Sequence, residues 1–183
     1  MGYSTYWNRV RKDFNEEEWN SLIKDCKVLY KNMPKHSLSA GGWSKEDPLF
    51  INGCSGYNKA QFTNKHIIFN GGNGSKRTFT VDTKYEGKER KSWKDSIEND
   101  LDHETFLLTR KDSGNFNFCK TARKPYDLMV CAVLFLAKYH LKDKIKISSD
   151  GDMEDWKPAI EFVESLFPDY VLEIMTANNL FEK

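Results

Sequence analysis

The chain has 183 residues, with 28 Lys and Arg against 27 Asp and Glu, for a net charge of +1. At 39% hydrophobic, 30% charged and 14% aromatic, it is too apolar for a disordered chain and is long enough for one domain, 1–183, to bury its own core. A dedicated nucleic-acid coat would show a large basic excess, so nucleic acid is disfavoured as a partner, and no run of 18 apolar residues exists to cross a membrane.

Asn15 followed by Glu16, Glu17 and Glu18 opens a helix, with the spacing of a capping box and with acidic residues suited to the positive end of the helix dipole. Trp19, Leu22, Ile23, Cys26, Leu29 and Tyr30 then recur at steps of three and four, so one face is apolar. Asn32-Met33-Pro34 ends it. The middle third reads as β. Leu49–Ile51, His66–Phe69, Thr78–Val81, Thr105–Thr109 and Phe116–Cys119 are short, rich in β-branched or aromatic residues, and bounded by turn formers. The last two are expected to pair as an antiparallel hairpin about Lys111–Asn115.

A charged insertion at about 84–100, with Trp93 and Ile97 among many Lys and Glu, reads as a solvated excursion on the sheet that has room for a short helix after Ser92. Pro125 to His140 is apolar nearly all round and is expected to be the buried central helix, about 24 Å long. Lys144–Ser148 alternates as a strand, expected beside 115–120. Asp152 can cap a helix carrying Trp156, Ile160, Val163 and Leu166, stopped at Phe167-Pro168-Asp169, and Tyr170–Met175 reads as a strand or a helix. The expected class is therefore α+β: a mostly antiparallel sheet with helices packed on one face.

The opening residues lack the basic-then-apolar pattern of a signal peptide, and Tyr6 stands where a myristoylation motif wants Ser or Thr. Cysteines at 26, 54, 119 and 131 form no C-x-x-C pair, and the four histidines are scattered. This spacing disfavours a zinc site and fits free thiols in a reducing cytoplasm, that of the host cell if the protein is viral. Cys26 and Cys131, on apolar helices, are read as core thiols.

Four segments are candidates for chemistry. Phe118–Asp127 leaves a strand, sets Lys120, Thr121, Arg123 and Lys124 in a turn, and enters the buried helix. Cations beside free helix N–H groups would suit a phosphate. In His103–Arg110, a strand would place Glu104 and Arg110 on one side, at the rim of a pocket. Asn70–Arg77 is glycine-rich but has neither the P-loop nor the dinucleotide order, and reads as a turn. Ser148–Trp156 is acidic without a calcium-loop pattern and reads as a turn and helix cap, with Asp150 and Trp156 placed to border the same cavity as Lys120 and Arg123.

The run FCKTARKPYD, the apolar helix after it and ISSDGDMEDW resemble a family of small bacterial and bacteriophage proteins with no assigned activity; INGCSGY, FNGGNG and HETFLLTR are similar to its other landmarks. The resemblance covers about residues 100–160 well and 50–75 loosely. It implies a microbial or viral setting and supplies no catalytic residues.

These readings favour a non-enzymatic small-molecule binder, taking and sequestering an anionic nucleotide-type ligand such as a cyclic oligonucleotide or an ADP-ribose derivative. In a phage, that would counter a host immune signal. Lys120, Arg123 and Lys124 would meet the phosphate, with Thr121, Arg110, Glu104 and Asp150 lining the same ligand site; Trp43, Tyr57, Trp93 or Trp156 would hold the base. No cofactor or metal is expected, and a homodimer would be ordinary. One alternative is a hydrolase of such a ligand, with Glu104 or His103 as base, Cys119 as nucleophile and Asp150 as acid. Another is a protein–protein interaction module using the 84–100 insertion.

Overall fold

The computed structural model describes residues 2–36, 47–54, 59–72, 78–85, 88–94, 101–111 and 114–181, with backbone alone between 78 and 94. The fold is α+β, with four α-helices and antiparallel sheets among the described residues. No described helix is long and apolar enough to cross a membrane.

The first strand, β1 (Ser4–Arg9), was not expected from the sequence, and it organises the rest. Its odd residues Thr5, Trp7 and Arg9 point inward and are buried; Tyr6 and Asn8 point outward. It is the central strand of a three-stranded sheet, pairing antiparallel with β8 (Phe116–Lys120) on one side and β9 (Ile145–Ser149) on the other. Strand 145–149 therefore does not lie beside 116–120 as expected: β1 stands between them.

A second sheet is built round β4 (His66–Gly72), which pairs with β2 (Phe50–Asn52), β3 (Gln61–Phe62) and β7 (Phe106–Thr109). The expected hairpin of β7 with β8 is replaced by this arrangement, β7 going to β4 and β8 to β1. The charged insertion forms a ribbon of β5 (Thr78–Tyr85) with β6 (Lys88–Lys94), so residues 92–94 are strand and begin no helix; 95–100 lie outside the described residues.

Helix α1 (Glu16–Lys31) is capped by the Asn15 side chain, which accepts from the Glu17 and Glu18 N–H groups at 2.8 and 3.4 Å. The Glu18 carboxylate does not close the capping box. It pairs instead with the Lys144 ammonium. Helix α2 (Asp127–Leu141) is buried along nearly its whole length and packs against α1, α3 (Met153–Glu164) and β9. It starts two residues after Pro125. Cys26 and Cys131 are core thiols, as their helices predicted. Asp152 caps α3 with a full capping box, Asp155 being the reciprocal partner. Pro168 opens α4 (Pro168–Ala177), which resolves Tyr170–Met175 as helix.

The two main sheets share one core. Trp7, Phe106, Phe69 and Phe62 form a line of rings with centroids 5.1, 4.9 and 6.2 Å apart. The buried Arg9 also ties the sheets: its guanidinium donates to the carbonyls of Thr109, Lys12 and Arg110 and lies 4.0 Å from the Phe14 ring centre.

Candidate functional site

The two most distinctive segments of the sequence do converge, at the end of the three-stranded sheet, but they meet by pairing with each other. The turn after β8 passes through left-handed backbone at Ala122 (φ 52°) and Arg123 (φ 58°). Such a turn folds back sharply, and the Tyr3 carbonyl receives both the Thr121 and Ala122 N–H groups at 3.1 Å. It swings the Arg123 guanidinium onto Asp155: one nitrogen donates to Oδ1 and the other to Oδ2 at 3.3 Å. The same guanidinium lies over the Tyr3 ring, 4.2 Å from its centre. The pairing raises the Arg123 pKa and lowers that of Asp155.

The other members of the turn are also engaged. Lys124 is buried and donates to the Asp102 carbonyl. Thr121 is buried, and its hydroxyl donates to Asp127 Oδ1 at 2.6 Å. Asp127 itself sits buried at the start of α2, where the sequence reading placed a bound phosphate. Burial pushes its carboxyl up to about 6, against the Thr121 bond and the nearby Arg123 charge, which pull it down. The N–H groups of residues 127–130 donate to carbonyls of residues 124–126. At this helix start the protein therefore supplies both its own anion and its own acceptors. A recess of about 10 Å³ beside Asp127, Cys131 and Asp155 has room for one water molecule.

Glu104 joins the two sheets. Its carboxylate accepts the Lys120 N–H at 2.7 Å, and its carbonyl accepts the Tyr126 hydroxyl at 2.8 Å and the Cys119 thiol at 3.4 Å. Cys119 is buried, and burial pushes its thiol well above the usual range, the reverse of what a nucleophile needs. Asp150 accepts the Ser4 N–H at 2.9 Å and the Tyr6 hydroxyl at 3.0 Å. Arg110 lies at the far end of β7 from Glu104 and pairs with Glu16 at 3.3 Å. Trp156 is fully buried, edge-on to Phe181, and faces no ligand space. His103 is exposed, with its backbone N–H on Asn70. Trp43 and Tyr57, and the side chain of Trp93, lie outside the described residues. No group of three or more His, Cys, Asp or Glu able to hold a metal occurs among the described residues.

Arg123 is ion-paired and the Lys124 ammonium is hydrogen-bonded to a carbonyl, whereas the Lys120 ammonium has no ion pair among the described residues. Its side chain runs over Gly2, where a Cβ would come within 2.5 Å of its Cε. Lys120 is on the outer face of β8, and that face holds what the sequence reading missed. Phe118 and Phe116, each two residues further along, are 51% and 57% exposed. Tyr6 on β1 completes a triangle of rings. Its centroid lies 6.0 Å from Phe116 and 6.4 Å from Phe118, which are 6.1 Å from each other.

The register fixes the rest of the face. Lys120 is opposite Ser4, Phe118 opposite Tyr6 and then Ser148, and Phe116 opposite Asn8 and then Lys146. Two lysines thus stand at opposite corners of a patch with rings at its middle. The signal in the sequence was the alternation Phe116, Phe118, Lys120, legible as a polar–aromatic face only once β1 is known to lie beside it. No family model, curated protein or solved structure matches the chain.

Proposed function

We propose that this protein binds an anionic nucleotide-type ligand without converting it, and that the ligand lies on the outer face of the three-stranded sheet. The observation that carries the reading is the triangle of half-buried Tyr6 and exposed Phe116 and Phe118, near Lys120, whose ammonium has no ion pair among the described residues. Large rings half in water are costly to leave uncovered and are the usual platform for a base, whose stacking is worth about 1–3 kcal/mol. A neighbouring ammonium complements the phosphate. The turn at 120–124 enters this reading through Lys120 alone, because Arg123, Lys124 and Thr121 are held by protein partners.

Binding without conversion is supported by the state of the candidate catalytic groups. Cys119 is buried, Glu104 holds the Lys120 N–H, and Asp150 holds Ser4 and Tyr6. The test is native mass spectrometry and calorimetry with cyclic dinucleotides, ADP-ribose and nucleoside phosphates, on the wild type and on Phe118→Ala and Lys120→Gln. Intact ligand bound by the wild type and lost in both variants supports the reading. Turnover of any of these compounds, or affinity unchanged in both variants, overturns it.

A further inference from the structure

We infer that two copies of this chain join through the open edge of β8, the two strands pairing antiparallel about a two-fold axis at Asn117; this goes beyond the ligand reading and does not depend on it. Every second residue of β8 bonds to β1. The Arg9 N–H donates to the Asn115 carbonyl and the Thr121 N–H to the Tyr3 carbonyl, so this register turns the backbone groups of Asn115, Asn117, Cys119 and Thr121 toward β1. Those of Phe116, Phe118 and Lys120 point the other way. Glu104 takes the Lys120 pair: its carboxylate accepts the N–H at 2.7 Å, and its own N–H donates to the carbonyl at 3.3 Å. From Glu104 the chain passes beneath β1 and not along β8. Phe106 packs on the inward-pointing Trp7, and the Thr109 and Arg110 carbonyls accept from the inward-pointing Arg9. The N–H and C=O of Phe116 and Phe118 are therefore left without hydrogen bonds among the described residues. The other edge of the sheet is closed, where Ile147 on β9 bridges to Phe181.

An unpaired edge is a template for another strand, and proteins commonly blunt it with lysine, proline or a bulge. Residues 115–119, Asn-Phe-Asn-Phe-Cys, carry no charge and no proline, and the ladder with β1 has no register shift. A second β8 fits this edge in one register. The Lys120 backbone is occupied by Glu104, so Phe116 pairs with the partner's Phe118 and Phe118 with the partner's Phe116. Four hydrogen bonds form and use every open group of both copies. The rings become cross-strand aromatic pairs on the outer face. At the axis the two Asn117 residues are directly opposite in a non-hydrogen-bonded pair, Cβ atoms about 4.5–5.5 Å apart. Asn117 Nδ2 is buried without a hydrogen-bond partner among the described residues, and across the axis each amide donates to the oxygen of the other. Like charges do not meet, since Lys120 comes opposite the partner's Gly114. Any other strand would need two outward rings flanking one inward amide, which this chain itself supplies. Each half-exposed ring leaves on the order of 100 Å² to cover. Four rings and two short strands fall below the 1,200 Å² or so that stable complexes bury, so the dimer is a weak one that forms at roughly 100 μM.

The experiment is sedimentation equilibrium of the full chain from about 5 to about 500 μM, a range set by that weak association. The wild-type mass should rise from 21.4 kDa toward twice that value. Phe116→Pro removes an N–H that bonds nothing within the chain, at the first residue of the strand, where proline is tolerated. It should stay monomeric throughout. Phe116→Ala keeps that N–H and should dimerise about tenfold more weakly, through the loss of two aromatic pairs. Asn117→Cys in a Cys54→Ser background sets two thiols opposite each other within disulfide reach and should crosslink to a dimer on mild oxidation, whereas the background protein should not. Emission from the buried Trp7, Trp19 and Trp156 verifies that each variant is folded. A monomer mass at every concentration overturns the inference, and so does a dimer that Phe116→Pro leaves intact. Absence of the crosslink at 117 overturns the pairing about that residue. The nucleotide titrations described above are a separate readout, so the ligand reading stands or falls on them alone.

Discussion

The guanidinium of Arg123 is held between the Tyr3 ring and the carboxylate of Asp155, so that the residue leading into β1, the turn after β8 and the first turn of α3 are fastened at one point. Gly151 lies beneath this clasp: a Cβ there would come 2.5 Å from Asp155 Oδ2 and 2.6 Å from the Tyr3 hydroxyl. The contact is structural, and it separates two accounts of the cationic turn. Arg123→Gln should cost about 1 kcal/mol of stability, the pair being partly solvated and the ring contact adding a little. It should leave affinity for nucleotide probes unchanged, whereas Lys120→Gln should weaken it. Denaturant melts and a binding titration on both variants check this.

Asp127 gives a signed pH dependence. Its carboxyl is raised to about 6 by burial, so the folded state holds the proton more tightly than the unfolded chain does. Its contribution is therefore favourable at low pH and is lost as pH rises through the window from about 4 to 6. Two pKa units correspond to about 3 kcal/mol. Asp127→Asn has no such proton to lose and can still accept from Thr121. Relative to wild type, the variant should gain stability between pH 4 and pH 7, read as a widening difference in Tm.

Ala122 occupies left-handed backbone at φ 52°, where a Cβ is strained. Ala122→Gly should stabilise the protein by about 0.5 kcal/mol or more, the relief of strain outweighing the added freedom of the unfolded chain. Urea melts of the two proteins decide it. A loss of stability would show that the turn tolerates its methyl group without strain.

Gly71 presents the opposite case. A methyl group there would meet the Leu101 carbonyl at 2.1 Å and the Tyr126 ring at 2.5 Å, one of them rigid backbone. Gly71→Ala should cost about 2–3 kcal/mol by forcing β4 away from the start of α2. An unchanged Tm would mean that this packing yields easily.

Of the four cysteines, Cys54 is exposed and Cys26, Cys119 and Cys131 are buried. Burial raises all three buried thiols above their ordinary range. A disulfide reagent should therefore titrate one thiol rapidly in the native protein and four in denaturant. Fast modification of Cys119 would reopen a catalytic role for it.

Much of the local structure could be read from the sequence because its causes are local. Asn15 and Asp152 cap their helices through N–H groups two and three residues away, and the apolar residues of 127–141 demand burial whatever surrounds them. Strands β4, β7, β8 and β9 were visible in runs of β-branched and aromatic residues. Their partners were not. Strand β1 is a mixed run, Ser-Thr-Tyr-Trp-Asn-Arg, and its partners lie more than a hundred residues away in β8 and β9, so no short-range pattern announces it.

The candidate site divides the same way. The sequence placed Lys120, Arg123 and Lys124 in one turn before a buried helix and brought the 150–156 segment near them. Which charges remain available to a ligand depends on the tertiary structure. Asp155 is 32 residues from Arg123 and the Asp102 carbonyl 22 from Lys124, and only the folded chain brings them within bonding distance. The exposed rings are the same kind of fact. Phe116 and Phe118 are ordinary strand residues until β1 pairs beside them and turns Tyr6 to the same side, leaving a face that no described helix covers. Periodicity and capping act over a few residues and are written into the chain; charge pairing and exposure are set by which distant segments meet.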